Sequence, residues 1–312
     1  MTKVSIIGAG AVGTAIAYAA QIRGVCRELA LYDLNATKVR AEVLDLVHGM
    51  QFTPMTHITG GDDLEVCAGS DVVVVTAGAK QKPGQTRLDL AASNVAMCRE
   101  LIPRVVALAP DTILLLVTNP VDVVTCAAQQ FAGLPAGRVF GSGTVLDSSR
   151  LRFLIAEHTG VAVQNVHAYI AGEHGDSEVP LWSTASIGGI PVRDWVSPDG
   201  RGIDEATRAE IHRSVVNSAY EIIAGKGATS LAIGLAVSRV LEAILNDEHR
   251  VLPVSSRLTD VHGLSDVCLS MPSVVGRRGV ETVLATPLDA AELAALQASA
   301  ATVSAAARSL GL

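Results

Sequence analysis

Short apolar runs alternate with longer amphipathic stretches through the first 140 residues of the chain. Four of the runs have the length of a strand and are apolar almost throughout: 4–7, 29–32, 72–76 and 112–117. Such runs are typical of parallel strands that are buried on both faces of a sheet. The stretches between them predict helices over 11–23, 36–48 and 88–109, the last of which Pro103 could interrupt. This alternation predicts an α/β fold with a doubly wound parallel sheet.

The pattern changes near residue 141, after which strand signals are shorter and are mixed with Gly and Pro. It predicts helices over 145–158, 205–224, 229–245 and 289–310, a strand over 166–170, and hairpin-like strands between 251 and 275. Such a mixture is typical of an α+β unit. We therefore expect two domains, 1–141 and 142–312, and a helix near 231–246 could pack against the first of them.

Composition and charge exclude several classes of protein. The 312 residues are 49% hydrophobic with a net charge of −7, which indicates a globular chain. Without a long basic run, nucleic acid is not an expected partner. No apolar run approaches the ~20 residues of a membrane-spanning helix, so no membrane partner is expected. The five cysteines are scattered without a Cys-x-x-Cys motif, which favours reduced thiols, a cytoplasmic location and no metal site.

A glycine-rich loop joins the first predicted strand to the first predicted helix. Gly8, Gly10 and Gly13 have the G-x-G-x-x-G spacing of a Rossmann dinucleotide-binding turn, in which a helix N-terminus meets the pyrophosphate. Asp33 ends the second strand, 20 residues after Gly13. A carboxylate there can accept hydrogen bonds from ribose hydroxyls and would repel a 2′-phosphate. The loop therefore predicts NAD as the cofactor, in preference to NADP.

Further polar residues follow the later strands, at the edge where ligands bind in such sheets. The segment 78–90 is rich in Gly, Pro and polar residues, which suggests a lid, and Arg87 could polarise a ketone when the lid closes. Asn119, in Thr-Asn-Pro, can hydrogen-bond a carbonyl or hydroxyl group. Each of these residues has an ordinary structural interpretation as well, as a surface arginine or a turn.

The segment Ala-Gly-Glu-His-Gly-Asp at 171–176 contributes a candidate acid/base, His174. A neutral imidazole can accept a hydroxyl proton while hydride leaves the same carbon, and an imidazolium can return it. Asp147 and Arg150 are three residues apart on a predicted helix and share a face. The aspartate would orient the imidazole, and the arginine fork suits a carboxylate.

These motifs, in this order, closely resemble those of the L-lactate and malate dehydrogenase family, and the resemblance runs from Gly8 to the final predicted helix. It implies a Rossmann domain followed by a mixed α+β substrate domain. It also implies that His174 is the acid/base with Asp147 as its partner, that Arg150 anchors the substrate carboxylate, and that Arg87 polarises the carbonyl.

Other contacts follow from the same resemblance. Asn119 is expected to contact the reacting oxygen and the nicotinamide region, and Thr229 to line the far side of the substrate pocket. The cofactor contacts that it implies are Gly8, Gly10, Val12, Gly13, Asp33, Gly78 and Asn119.

The choice of substrate is expected to depend on Gln81. Malate-type members usually carry an arginine at this position, which pairs the second carboxylate of oxaloacetate. Glutamine cannot neutralise that charge, so pyruvate/L-lactate is expected in preference to oxaloacetate/malate. Lys82 could partly compensate if it pointed inward, and larger 2-oxo acids remain open.

An effector site is a further implication of the resemblance. Arg152 and His167 occupy the positions at which bacterial members activated by fructose 1,6-bisphosphate bind the effector's phosphates across a subunit interface. An ordinary helix-surface arginine and strand histidine are the alternative. The family also implies a homotetramer.

Two other functions share parts of this pattern. NAD-dependent glycosidases need a divalent metal held by Cys and His, and no such pair occurs here in a suitable motif. A non-enzymatic NAD-binding protein would tolerate the loss of His174 or Arg87, and both are present.

Overall fold

The structure, a computed structural model, describes residues 2–79, 87–197 and 200–312, with the side chain of Arg87 outside the description. Its helices are α1 (Ala11–Arg23), α2 (Ala36–His48), α3 (Arg87–Leu108), α4 (Val121–Ala132), α5 (Val145–Thr159), α6 (Glu205–Lys226), α7 (Leu231–Leu245) and α8 (Ala290–Ser309). None of the helices in these ranges combines the length and apolar character that crossing a membrane requires.

The strands of the first half are β1 (Lys3–Ile7), β2 (Glu28–Tyr32), β3 (His57–Gly61), β4 (Val72–Val75), β5 (Ile113–Leu116) and β6 (Val139–Gly141). Those of the second half are β7 (Val166–His167), β8 (Ile170–Ala171), β9 (Val179–Pro180), β10 (Ser186–Ile187), β11 (Ile190–Pro191), β12 (Arg250–Arg257), β13 (Cys268–Gly276) and β14 (Gly279–Val283).

One sheet runs through both halves of the chain, in the order β14-β13-β12-β6-β5-β4-β1-β2-β3. The six strands from β6 to β3 are parallel, and their order reverses direction between β1 and β4. This confirms the doubly wound parallel sheet. β12 pairs antiparallel with β6 where Ser255 lies opposite Gly141, and β13 and β14 continue antiparallel. The hairpin strands expected in the second half therefore extend the sheet of the first half.

The continuous apolar strands fill two hydrophobic cores, one on each face of the sheet. In β4, Val73 and Val75 pack with residues of α3, α4 and α8. Val72 and Val74 point to the opposite face and pack with residues of α1, α2 and α7. Because successive side chains alternate between faces, a strand covered on both sides must be apolar at every position.

Helix α7 comes from the second half of the sequence but packs on α1. A Cβ atom on Gly234 would lie 2.6 Å from the carbonyl oxygen of Ala15, so glycine permits the close approach of the two helices. Arg23, in the last turn of α1, donates to Glu242 of α7 with Nε···Oε1 at 2.5 Å. The parallel sheet is thus covered on one face by helices from both halves.

Several elements differ from the sequence-based expectation, which included no strand at the positions of β3, β6 and β14. Helix α3 continues through Pro103, where the buried neighbours Ile102 and Val105 anchor it to the core. The strand expected over 166–170 divides into β7 and β8, which lie in different sheets, because the Ala168 carbonyl accepts a side-chain hydrogen bond. Helix α4 was not predicted, since it is buried on most sides and β-branched residues begin it.

Candidate active site

The glycine-rich loop connects β1 to α1 at the point where the strand order reverses. Gly8 has a φ of +105°, and a Cβ atom on Gly13 would lie 1.9 Å from the Gly8 carbonyl oxygen. Only glycine fits these two positions. A Cβ atom on Gly10 would meet nothing within 4 Å, and in the described structure no side chain caps the N-terminus of α1. The first-turn N–H groups and the space beside Gly10 suit a phosphate, and Val12 lies partly buried in that turn.

Asp33 holds the end of β2 against this loop. Its Oδ2 accepts a hydrogen bond from the Ala9 N–H at 2.8 Å, and its Oδ1 accepts from the Asn35 N–H at 3.0 Å. The N-cap of α2 is Asn35, whose side chain accepts from the Lys38 N–H, so Asp33 is not required as the helix cap. Its carboxylate is fixed beside the glycine loop, where the ribose of a dinucleotide would lie.

Asn94 joins the ends of β4 and β5. Its Oδ1 accepts from the Ala79 N–H at 2.8 Å, and its Nδ2 donates to the Asn119 carbonyl oxygen at 2.7 Å. A Cβ atom on Gly78 would lie 2.5 Å from Cγ2 of Thr118, so glycine lets the two loops approach. The sequence-predicted residues Gly78 and Asn119 are thereby brought to one edge of the sheet. Sequence reasoning missed Asn94, whose signal is a buried amide on an otherwise apolar helix face.

Asp147 contacts both His174 and Arg150. Its Oδ2 lies 2.6 Å from Nδ1 of His174, and its Oδ1 accepts from Nη1 of Arg150 at 2.8 Å. The Asp147 side chain is 3% exposed, whereas that of His174 is 26% exposed. Residues predicted from two separate motifs are therefore joined through the Asp147 carboxylate, and the imidazole retains an accessible surface.

The charges in this group favour an ionised aspartate beside a protonated histidine. The Asp147 carboxylate raises the pKa of His174 to about 9, although burial works in the opposite direction. Burial would raise the pKa of Asp147, but the charges of His174 and Arg150 and their hydrogen bonds hold it below its ordinary value. A proton bound to this imidazole is thus retained at neutral pH until an acceptor approaches.

The backbone of His174 is held by Asp122, which is 2% exposed at the start of α4. Oδ2 of Asp122 accepts from the His174 N–H at 2.8 Å, and its Oδ1 accepts from the Ser255 hydroxyl at 2.6 Å. Burial raises the pKa of Asp122 to about 6, and the two hydrogen bonds limit the rise. Sequence reasoning did not assign Asp122 a place in the site.

The C-terminal helix also supports the loop that carries His174. Ser299 of α8 accepts a hydrogen bond from the Glu173 N–H at 2.8 Å, and its hydroxyl lies 3.0 Å from that of Ser177. On the other side, Gly172 exchanges two backbone hydrogen bonds with Ser270 of β13, at 2.9 and 3.0 Å. The loop is therefore fixed from α4, α8 and β13 together.

Glu178 is a buried carboxyl group close to the same charges. Burial, followed by the charge of Asp147, raises the pKa of Glu178 to about 8. Its Oε1 is buried without a hydrogen-bond partner among the described residues. No local sequence pattern indicates this group, because its environment is created by tertiary packing.

The structure describes the remaining predicted residues to different extents. Gln81 lies outside the described residues, and for Arg87 only its position at the start of α3 is described. Thr229 lies between α6 and α7, and its hydroxyl is buried without a partner in the described part of the chain. Such a hydroxyl is available to a ligand.

Arg152 contacts the segment of chain that follows β7. Nε of Arg152 donates to the Ala168 carbonyl oxygen at 2.8 Å, and its guanidinium lies 4.8 Å from the centroid of the Tyr169 ring. His167 is exposed on β7, next to Ala168 in the chain. Arg152 therefore contacts the residue that follows His167 in the chain.

Comparisons with known proteins agree with this geometry. Residues 2–141 match the family model described as lactate/malate dehydrogenase, NAD binding domain, and residues 144–309 match the lactate/malate dehydrogenase, alpha/beta C-terminal domain. The chain is 55% identical over 303 residues to an L-lactate dehydrogenase of Bifidobacterium animalis subsp. lactis, which covers 97% of this chain and 95% of that protein. It is 51% identical over 298 residues to an L-lactate dehydrogenase of Synechococcus sp. (strain JA-3-3Ab), with 96% of each chain covered.

A solved structure is similar over nearly the whole chain. The crystal structure of the minor L-lactate dehydrogenase from Enterococcus mundtii in the ligands-bound form superposes with a TM-score of 0.95 at 41% identity, covering 99% of this chain and 98% of that chain. These similarities confirm the fold and the cofactor expected from the sequence. The chain belongs to the lactate/malate dehydrogenase family and is an NAD-dependent oxidoreductase.

Proposed function

We propose that the protein catalyses the reversible NADH-dependent reduction of pyruvate to L-lactate. The observation that carries this proposal is the Asp147 carboxylate shared between His174 and Arg150. It combines a proton donor with a carboxylate-binding cation, which are the two groups that a 2-oxo acid requires. The name L-lactate dehydrogenase, borne by the relatives reported above, supports the same substrate.

His174 acts as the acid/base in this proposal. In the direction of reduction, its imidazolium donates a proton to the carbonyl oxygen of pyruvate, and in the reverse direction the neutral ring accepts the hydroxyl proton of lactate. Bound NADH supplies the hydride. Asp147 keeps the ring oriented and stabilises its protonated form, which is the role of an aspartate in other His-Asp pairs.

The other side chains position the substrate. Arg150 uses one nitrogen for Asp147 and has further N–H donors for the carboxylate of pyruvate. Arg87 polarises the reacting carbonyl, and Asn119 binds the same oxygen and the nicotinamide region. Thr229 lines the far side of the pocket, and its hydroxyl, which has no partner among the described residues, supports that role.

The two halves of the chain have different roles in binding. We propose that residues 1–141 bind NAD, through Gly8, Gly10, Val12, Gly13, Asp33, Gly78 and Asn119, and that residues 142–312 bind the substrate. The contact between the Asp122 carboxylate of the first half and the His174 N–H of the second supports a site assembled from both.

Comparison of two substrates tests the proposed function. We expect NADH oxidation with pyruvate to exceed that with oxaloacetate, because Gln81 leaves the second carboxylate of oxaloacetate without a cation. Gln81→Arg should improve kcat/KM for oxaloacetate relative to pyruvate by roughly 150- to 5,000-fold, since an unpaired buried charge costs about 3–5 kcal/mol and each ~1.4 kcal/mol is a factor of ten. Steady-state kinetics with both substrates measures this ratio. A wild-type preference for oxaloacetate would reclassify the enzyme as a malate dehydrogenase.

Arg152 and His167 form the proposed effector site for fructose 1,6-bisphosphate. The Ala168 carbonyl and the Tyr169 ring hold the Arg152 guanidinium, whose other N–H groups can bind phosphate. In a homotetramer, two such basic patches facing each other across an interface repel when empty. A bridging bisphosphate would stabilise the assembled, active form.

Steady-state kinetics and measurement of the oligomeric state by sedimentation test the effector site. We expect fructose 1,6-bisphosphate to lower the KM for pyruvate in dilute, phosphate-free buffer and to increase the tetramer fraction in sedimentation. Arg152→Gln should abolish the response, whereas Arg193→Gln, which removes an exposed arginine of the same half, should keep it. An unchanged substrate-saturation curve in the wild-type enzyme would refute the site.

A further inference from the structure

Two cysteines that the proposed reaction does not use lie in contact between α4 and β13. The backbone N–H of Cys268 donates to Sγ of Cys126 at 3.3 Å, and the two thiols share a hydrogen bond. Because N and Cα are about 1.5 Å apart, Sγ of Cys126 lies within roughly 5 Å of the Cα atom of Cys268. Such proximity is compatible with a disulfide bond.

Cys126 differs from the other cysteines in exposure and acidity. It is partly exposed, and the hydrogen bond from the Cys268 thiol lowers the pKa of Cys126. Burial raises the pKa of Cys26, Cys67 and Cys98 to about 12, 11 and 12. Since the thiolate is the reactive form, an oxidant should attack Cys126 in preference to these three.

We propose that Cys126 and Cys268 form an oxidation site that hydroperoxides convert to a disulfide. The Cys126 thiolate attacks one peroxide oxygen, so that an S–O bond forms, the O–O bond breaks and hydroxide leaves. Sulfur of Cys268 then attacks the Cys126 sulfenic acid, so that the S–S bond forms, the S–O bond breaks and the Cys268 proton leaves with the hydroxyl as water. In total, two thiols lose two electrons and two protons, and hydrogen peroxide becomes two water molecules.

The site connects the two elements that hold the His174 loop. Asp122, one turn before Cys126 on α4, accepts the His174 N–H, and Ser270, two residues after Cys268 on β13, pairs with Gly172. A disulfide replaces the N–H···S contact and draws α4 and β13 into a new spacing. We expect the displacement to lower the turnover of pyruvate, a consequence that rests on the proposed function.

Thiol counting tests the site without reference to turnover. The full-length enzyme is treated with hydrogen peroxide, and free thiols are titrated in denaturant. We expect the count to fall from five to three, the Cys126 and Cys268 peptides to be joined in a non-reducing digest, and dithiothreitol to restore all thiols. Cys98→Ala, which removes a buried cysteine of α3, should behave as the wild type with one thiol fewer.

Two further variants separate the steps of the reaction. Cys126→Ser should keep its remaining thiols under the same treatment. Cys268→Ser should form a sulfenic acid at Cys126 that dimedone labels, because the resolving thiol is missing. A disulfide between other cysteines, or no loss of thiols in the wild type, would overturn the proposal.

Turnover of the oxidised enzyme tests the connection to the His174 loop. We expect kcat for pyruvate to fall on oxidation and to recover with dithiothreitol, and Cys126→Ser to resist the loss. An unchanged kcat in fully disulfide-bonded enzyme would overturn the connection. Absence of pyruvate turnover in untreated enzyme would instead refute the proposed function, and the thiol count would still decide the oxidation site.

Discussion

At the scale of single residues, Asp147 determines the chemistry that His174 can perform. It accepts hydrogen bonds from the imidazole and from Arg150, so its own proton is lost and the histidine retains one at neutral pH. In the proposed reaction, the same carboxylate therefore prepares a proton donor and orients a cation for the substrate. A histidine without this neighbour would be mostly neutral near pH 7.

Replacing His174 tests its role as proton donor. We expect His174→Asn to lower kcat for pyruvate by roughly 100- to 10,000-fold, the typical contribution of a general acid. NADH affinity, measured by fluorescence titration, should change little, because the glycine loop and Asp33 lie on other elements. His48→Asn, an exposed histidine at the end of α2, provides the control. Turnover retained in His174→Asn would contradict the assignment.

The functional importance of some of these residues can be predicted from the sequence, whereas that of others cannot. His174, Asp147 and Arg150 lie in motifs whose local spacing suggests a chemical role, and the structure brings them into contact. Asp122 and Glu178 act through partners that are distant in the chain or through burial, so neither local spacing nor residue type distinguishes them.

At the scale of elements, three segments from different parts of the chain hold the His174 loop. Helix α4 contributes Asp122, β13 contributes Ser270, and α8 contributes Ser299. An alanine-rich helix such as α8 would be interpreted as packing alone, but its single buried hydroxyl accepts the Glu173 N–H. The C-terminal helix is therefore a positioning element for the site.

Removing this hydroxyl tests the contribution of α8. Ser299→Ala leaves the Glu173 N–H without its acceptor, which should cost about 1–3 kcal/mol of unfolding free energy. We expect kcat for pyruvate to fall roughly tenfold, less than the ~100-fold expected for a 1 Å misplacement. NADH binding should be unaffected. Thr302→Ala, an exposed position of the same helix, should leave both quantities unchanged. A kcat equal to the wild type in Ser299→Ala would show that α8 does not position the loop.

The predicted helices and strands agree with the structure where the sequence has one clear hydrophobic periodicity. They disagree where contacts between distant residues determine whether a segment is a helix or a strand. The central strands β4 and β5 are apolar throughout, and α1 and α2 lie where the pattern predicted them. Helix α4 is buried along most of its length and begins with β-branched valines, which favour a strand interpretation when the sequence is considered alone. β7 and β8 separate because side-chain and backbone partners bind the residues between them.

At the scale of the whole molecule, the two halves are joined by the sheet and by α7. β12 pairs with β6, so the antiparallel strands of the second half continue the parallel sheet of the first. The sequence predicted both kinds of strand but not their junction, since pairing between distant strands leaves no local pattern. The junction lies beside Ser255, which donates to Asp122, so the same contact supports the fold and the His174 loop.

We propose that His174, held protonated by Asp147, protonates a 2-oxo acid as NADH transfers its hydride. The pH dependence of kcat/KM for pyruvate tests it most directly, because this parameter reports the pKa of the free enzyme's essential acid. The pKa of His174 is raised to about 9, so the protonated, active form persists at neutral pH and is lost as the pH rises through that value.

The decisive measurement compares this profile in the wild type and in Asp147→Asn. The substitution removes the charge that raises the His174 pKa most. We expect a wild-type kcat/KM that declines only at alkaline pH, and an Asp147→Asn profile that is lower and declines at least about one pH unit earlier, a difference of about 1.4 kcal/mol in proton affinity. Identical midpoints in the two enzymes would show that His174 is not the proton donor held protonated by Asp147.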